Sequence, residues 1–169
     1  MKKVLVLAVL LCAAILCLAS CGGKTEKPED TSGTPKEPAT LESIYSAVSQ
    51  TIPDADKLTD VPESYLSGFL KASKDDFASY KIVTQSISTS IDEIGIFEAK
   101  SAEDVEKIEK MIDTFFEFRL AVWDPQYLKE EYPKLEKASR VTGGNFVMYM
   151  ILSDDARADA EKAFRAAAN

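Results

Sequence analysis

The chain contains no histidine. Histidine is the commonest general base and metal ligand in proteins, and it completes most serine and cysteine catalytic triads. No serine or threonine is followed three residues later by lysine, so the usual serine–lysine spacing is missing as well. The sequence therefore predicts a protein with no identifiable catalytic site, no cofactor and no metal centre.

Cysteine is almost as scarce, since the chain has three, all within the first 21 residues. Lys2 and Lys3 open the chain, and every residue from Val4 to Ala19 is apolar. A membrane-spanning helix needs about 20 apolar residues, whereas a secretory signal needs a positive start, a shorter apolar stretch and small residues at its end. Residues 1–20 are therefore predicted to be a signal peptide, with an uncleaved spanning helix as the alternative.

The end of this segment reads Leu18-Ala19-Ser20-Cys21, which resembles the lipobox of bacterial lipoproteins. In that family a diacylglyceryl group is attached to the cysteine thiol, and a peptidase cuts before the cysteine. The resemblance implies lipidation of Cys21 and a location on the outer face of the cell membrane. Two acyl chains give stable anchoring where one does not. The alternative is that Cys21 is an ordinary residue beside a cleavage site.

Acidic residues outnumber basic ones, 28 to 20, which gives a net charge of −8. Such a chain is repelled by nucleic-acid phosphates and by anionic lipid headgroups, so nucleic acid is excluded as an expected partner. Residues 22–40 are rich in glycine, proline, threonine and charge, and contain no aliphatic residue larger than alanine. This composition predicts that residues 21–40 form a disordered tether.

Residues 41–169 are predicted to form a single α+β domain. Leu41, Ile44, Tyr45 and Val48 share one helical face, and Thr40 can cap that helix. Pro62, Tyr65 and the apolar residues after them favour a short helix within 61–76. This part of the chain would precede the sheet.

Two ββα units then follow, and they predict an antiparallel sheet with helices packed on one face. The expected elements are strands at 80–88 and 93–99, a helix from Ser101 to about Val122 ended by Pro125, a hairpin at Gly143-Gly144-Asn145, a buried strand at 146–152, and a helix capped by Ser153 whose inner face holds Ala160, Ala163, Phe164 and Ala167. A hairpin is a better interpretation of the two glycines than an anion cradle.

The long helix has an unusually wide apolar arc of roughly 200°, whereas a surface helix needs little more than 100°. We therefore expect cover on more than one side, from the sheet and from the N-terminal helices or residues 124–135. An oligomer or partner surface is the alternative. Arg119 lies within this arc, so either its stem lies along the core edge, or it is a partly buried cation that pairs with Glu93 or holds an acidic ligand.

Adjacent carboxylates occur at Asp92-Glu93 and Asp154-Asp155, and they are interpreted as a turn and a helix start. Paired carboxylates can also catalyse hydrolysis, so a small cell-envelope hydrolase is the alternative function. Asp54, Asp56 and Asp60 lack the glycine and glutamate that an EF-hand loop requires.

The stretches ISTSIDEIGIFEAKSAEDVEKIEKMID and YLKEEYPKLEKASRVTGGNFVMYMILSDD resemble an uncharacterised family of small lipoproteins from Gram-positive bacteria, over roughly residues 41–165. The resemblance implies a secreted, lipid-anchored α+β domain and no assigned activity. The predicted function is a lipid-anchored extracytoplasmic module that binds a small ligand or an envelope protein, with Arg119 as its candidate contact residue.

Overall fold

A five-stranded antiparallel sheet forms the centre of the fold in the computed structural model, which describes residues 38–85, 89–124 and 126–169. The strand order is β1-β2-β3-β5-β4. The strands are β1 (Leu58–Asp60), β2 (Ser79–Gln85), β3 (Glu93–Glu98), β4 (Ser139–Gly143) and β5 (Phe146–Ile151). The predicted class, α+β with an antiparallel sheet, is confirmed.

The helices include every one that the sequence predicted. They are α1 (Leu41–Ser49), a π-helix (Leu66–Leu70), α2 (Ala102–Val122), α3 (Tyr132–Glu136) and α4 (Asp154–Ala168), with short 3-10 turns at Ala55–Lys57 and Lys74–Asp76. Thr40 caps α1 as predicted, because its Oγ1 accepts from the Ser43 amide at 3.1 Å and its amide donates to Ser43 Oγ at 3.0 Å. This reciprocal pair satisfies two amides that a helix start leaves without partners.

The two ββα units are present as β2–β3–α2 and β4–β5–α4. Gly144 is the first of the two residues that join β4 to β5, and its φ of +57° explains why glycine stands there. A two-residue loop with glycine first is typical of a type II′ hairpin.

The helices pack on both faces of the sheet, and the prediction of one face is wrong. Every side chain of β5 is buried, so both of its faces must be covered. The core of one face, the α1/α4 face, includes Ile44, Val48, Ile94, Ile96, Met148, Met150, Ala160 and Phe164. The core of the other, the α2 face, includes Leu66, Phe97, Ile108, Ile112, Phe115, Leu135, Val147 and Tyr149. The two ββα units thus place their helices on opposite faces.

Strand β1 was not predicted, because a three-residue edge strand is too short to show periodicity. Part of the predicted short helix within 61–76 is a π-helix. Several predictions lie outside the described residues: the signal peptide, Cys21, most of the tether, the last residues of the first predicted strand (86–88) and Pro125. Among the described residues, no helix is both long and apolar enough to cross a membrane.

Helix α2 packs against the sheet, the π-helix and α3, which agrees with cover on more than one side. That cover is incomplete, because only the centre of the apolar arc is buried, at Ile108, Ile112 and Phe115. The edges of the arc are open, with Phe118 38% exposed, Leu120 37% and Val122 59%. On α4, Ala160 and Phe164 are buried as predicted, whereas Ala163 and Ala167 lie at the edge of the core.

Candidate functional site

Arg119 enters the core from the last turns of α2, on the same side of the helix as Ile112 and Phe115. Its Nη1 lies 3.0 Å from Glu93 Oε2, and the two side chains are only 14% and 3% exposed. Pairing with Glu93 is one of the roles that the sequence allowed for Arg119. The last turns of α2 therefore place the Arg119 guanidinium against β3, among apolar side chains.

Glu93 is the one polar residue that is buried among the described residues, at 2% exposure. Its Oε1 accepts hydrogen bonds from the Tyr149 hydroxyl at 2.5 Å and the Tyr65 hydroxyl at 2.8 Å. Tyr65 in turn accepts from Arg119 Nη1 at 3.0 Å. A buried carboxylate is costly unless it is paired and hydrogen-bonded, and these donors meet both needs. We call Tyr65, Glu93, Arg119 and Tyr149 the Arg119 cluster.

Gly95, which was not among the predicted site residues, makes the cluster possible. Gly95 lies opposite Tyr149 in the β3–β5 register, two residues after Glu93 on the same face of the strand. A Cβ on residue 95 would stand 2.1 Å from Tyr149 Cε1. The missing side chain lets the tyrosine ring lie across β3 and bring its hydroxyl to Glu93. A glycine inside an otherwise apolar strand was the available signal.

The electrostatics of the cluster follow from its burial. Burial and the charge of Glu93 raise the pKa values of Tyr65 and Tyr149 well above that of a free tyrosine, so both phenols stay protonated donors. Burial by itself disfavours charged Arg119, but the charge of Glu93 and the nearby Tyr65 outweigh it and raise the pKa of Arg119. The cluster is therefore an ion pair held by two neutral hydroxyls.

Two exposed aromatic rings, one on the π-helix and one on α2, lie next to Tyr65 of the cluster. Phe69 of the π-helix stacks on Tyr65 at a centroid distance of 4.6 Å, and Phe118 of α2 meets Phe69 edge-on at 6.3 Å. Phe69 is 41% exposed. Arg119 Cζ lies 5.5 Å from the centroid of the buried Phe115 ring, which supports the guanidinium from inside. We call Phe69 and Phe118 the aromatic rim.

The guanidinium of Arg119 uses one nitrogen for all of its hydrogen bonds within the described residues. Nη1 donates to Glu93 and to Tyr65. Nε and Nη2 have no acceptor there, and the Arg119 side chain is 14% exposed. A guanidinium edge with parallel N–H groups matches a carboxylate in a two-point hydrogen bond. Chemically, the site can hold an anion.

A cleft of about 260 Å³ lies beside the π-helix, where the chain turns back towards α2. Its lining residues are Lys71, Ala72, Asp76, Phe77, Asp104, Lys107, Ile108 and Met111. Lys71 has φ +56°, and its Nζ donates to the Gly68 carbonyl at 2.7 Å. Lys107 already pairs with Asp104 at 2.7 Å. The lining therefore holds two lysines and two aspartates, so its charges balance.

The adjacent carboxylates Asp92 and Glu93 bind different cations, and Asp154 binds two cations of its own. Asp92 binds Lys134 at 2.7 Å, whereas its neighbour Glu93 binds Arg119. Asp154 binds Lys137 and Arg157 at the start of α4. Within the described part of the chain, no group of three metal-ligating side chains comes together. These contacts agree with the interpretation as a turn and a helix start.

The family model of a domain of unknown function, DUF4358, matches residues 50–152, which is more than half of the chain. The chain therefore belongs to this family. The match includes Tyr65, Glu93, Arg119 and Tyr149, and so all of the Arg119 cluster. No significant similarity links the chain to a curated protein or to a solved structure.

Proposed function

Because the DUF4358 family to which this chain belongs has no assigned activity, we propose a function from the residues themselves. The protein is a lipid-anchored extracytoplasmic protein of a Gram-positive bacterium. Its folded domain is a ligand-binding or protein-interaction module at the cell envelope, and it works through the α2 face. The supporting observation is Arg119, which keeps two nitrogens without an acceptor among the described residues and bonds to Tyr65, the residue on which the exposed Phe69 ring stacks.

The anchor rests on the first 21 residues. A positive start, an apolar stretch too short to span a bilayer and Leu18-Ala19-Ser20-Cys21 are the parts of a lipoprotein signal. The polar residues that follow are too poor in apolar side chains to fold alone. Such a segment would let an acidic domain stand clear of an anionic membrane surface.

The binding role is supported by the uneven burial of the apolar residues of α2. A helix whose only task was to cover the sheet would bury its aromatic residues or replace them with polar ones, because exposed apolar patches favour association. Instead Phe118 and Val122 remain open beside Arg119. Aromatic residues and arginine are the types enriched where proteins bind partners.

Lipidation is tested by labelling cells with radioactive palmitate. We expect Cys21→Ala to lose the label, since that thiol would carry the diacylglyceryl group. Cys17→Ala is the matched control and should keep the label, because Cys17 would leave with the signal peptide. A labelled Cys21→Ala protein, or an unmodified full-length chain in the cytosol, would refute the anchor.

Binding is tested in intact cells with a photoreactive phenylalanine analogue. The analogue is placed at Phe118 on the α2 face or, as the control, at the exposed Lys162 of α4. We expect light-dependent adducts from position 118 and none from position 162. Equal adducts from both positions, or none from either, would contradict a binding role for the α2 face.

A further inference from the structure

We propose that the aromatic rim and Arg119 together recognise an acidic–aromatic segment of a protein partner. In this site a carboxylate of the partner accepts hydrogen bonds from Nε and Nη2 of Arg119, and a neighbouring aromatic side chain packs on Phe69 and Phe118. The inference deepens the proposed function and rests on it, since it names the chemistry that the binding module selects.

The first step is that Arg119 is already held in position. Nη1 is fixed by Glu93 and Tyr65, each at 3.0 Å, and the guanidinium lies along the ring of Phe115. A flexible arginine loses considerable side-chain entropy when it binds an anion, and this one has lost it on folding. The remaining N–H groups therefore form a preorganised donor pair.

The second step concerns the charge of the occupant. The open side of Arg119 offers donors only, and a guanidinium has no acceptor. In a chain with net charge −8, an arginine that keeps two donors without an acceptor within the described residues marks a place where an acid is accepted. A carboxylate fits the planar guanidinium edge better than any neutral acceptor does.

The third step concerns the neutral part of the occupant. Phe69 and Phe118 meet edge-on at 6.3 Å and are each more than a third exposed. A partner ring added to this pair would continue the stack that begins at Tyr65 and Phe69. Because the rim spans two elements, the π-helix and α2, it presents a surface of the kind that a protein segment covers, with arginine and aromatic groups at its centre.

The test uses the full chain in detergent micelles, labelled with ¹⁵N, and follows the Nε–Hε signals of its arginines. The probes are acetyl-Ala-Asp-Phe-Ala-amide, its Asn-Phe counterpart and its Asp-Ala counterpart. We expect the Asp-Phe peptide to shift the Arg119 signal saturably and to bind at least about tenfold more tightly than either counterpart. Equal binding of the Asp-Phe and Asn-Phe peptides would overturn the proposal, as would an unmoved Arg119 signal.

Two variants with matched exposure separate the rim from a general effect of α2. Phe118→Ser should lower the affinity for the Asp-Phe peptide by about fivefold. Leu120→Ser, on the other edge of the helix, should keep that affinity within about twofold of the wild-type value. Loss of binding in both variants, or in neither, would refute the rim. An Arg119 signal that moves with protein concentration alone would identify a second copy as the occupant and overturn the proposal.

The photoreactive experiment distinguishes the two levels of inference. Adducts at position 118 with no preference for the Asp-Phe peptide would leave the binding module standing and remove the acidic–aromatic recognition. If position 118 gave no adducts in cells while the purified protein bound the Asp-Phe peptide as expected, the proposed binding role in the cell would be contradicted.

Discussion

On both faces of the sheet, helices pack over strands β3 and β5, but the side chains buried on the two faces differ in polarity. On the α1/α4 face, α1 and the alanine-rich α4 pack over Ile94, Ile96 and Met148 in a core of buried apolar side chains. On the α2 face, the same two strands contribute Glu93 and Tyr149. Alternation along β3 and β5 thus produces one purely apolar layer and one with an ion pair at its centre.

The ion pair on the α2 face supports the binding role that we propose for that face. A buried ion pair is weak support for a fold, because apolar residues of similar volume often stabilise as much or more. The α1/α4 face shows that this sheet can be covered without charge. The cluster on the α2 face is therefore best understood as the support of a surface, since it fixes Arg119 beneath the aromatic rim.

The sharpest test of this comparison removes the cation. Arg119→Met should lower the free energy of unfolding by about 3–5 kcal/mol, because Glu93 would remain buried without its counter-charge. Urea denaturation measures the loss. Adding Glu93→Gln to Arg119→Met should recover much of the loss, since a neutral amide still accepts from the tyrosines.

Arg157→Met is the matched control on the other side of the sheet. Arg157 is about as buried as Arg119, with its side chain 17% exposed, but its partner Asp154 is 58% exposed. We expect a loss of at most about 1 kcal/mol, as is typical of exposed ion pairs. Similar losses of unfolding free energy in the two arginine variants would show that the buried ion pair of the α2 face is no more important for stability than an exposed one.

A smaller effect is expected from the glycine beneath Tyr149. Gly95→Ala should destabilise the protein by about 1–3 kcal/mol, because the new methyl group overlaps a buried ring that cannot easily move. Gly68→Ala has nothing within 4 Å of its new Cβ, and should be neutral or slightly stabilising because it restricts the unfolded chain. Thermal unfolding compares the two variants, and a neutral Gly95→Ala would contradict the close approach.

The smallest expected effect is a decrease in the free energy of unfolding at alkaline pH. Free tyrosine ionises near pH 10, and burial together with Glu93 raises the pKa of Tyr149 and Tyr65 above that value in the folded state. Their contribution to stability is therefore complete below about pH 10 and is lost as the pH rises further, by about 1.4 kcal/mol per pH unit for each tyrosine.

Urea denaturation at pH 9, 10 and 11 measures this slope. Tyr149→Phe should make the slope shallower by the amount that corresponds to about one proton. An unchanged slope in Tyr149→Phe would mean that the hydroxyl titrates freely in the folded protein.

Much of the fold could be read from local patterns. Thr40, Ser101 and Ser153 stand immediately before the helices that the sequence predicted, and Gly144 forms the expected turn. The apolar strand at 146–151 was correctly expected to be buried. These features depend on neighbours in sequence, which is why single-chain reasoning reaches them.

The candidate site could be read only in part. Arg119 attracted attention because its angle on the helix places it among apolar residues, and pairing with Glu93 was one of the roles considered. Tyr65 and Tyr149 could not be linked to them, since Tyr65 lies just before the π-helix and the other three residues lie on β3, α2 and β5. Contacts between such distant segments leave no periodic trace along the chain.

By itself, the sequence determined the class of fold, the positions of the helices and of every strand but β1, and the absence of histidine chemistry, because composition and local periodicity control all three. Only the tertiary structure decided which face each helix covers, which residues of α2 stay open and which acid meets Arg119. Those outcomes follow from the side on which the chain crosses the sheet after each hairpin. That choice depends on the packing of the whole domain rather than on any single segment.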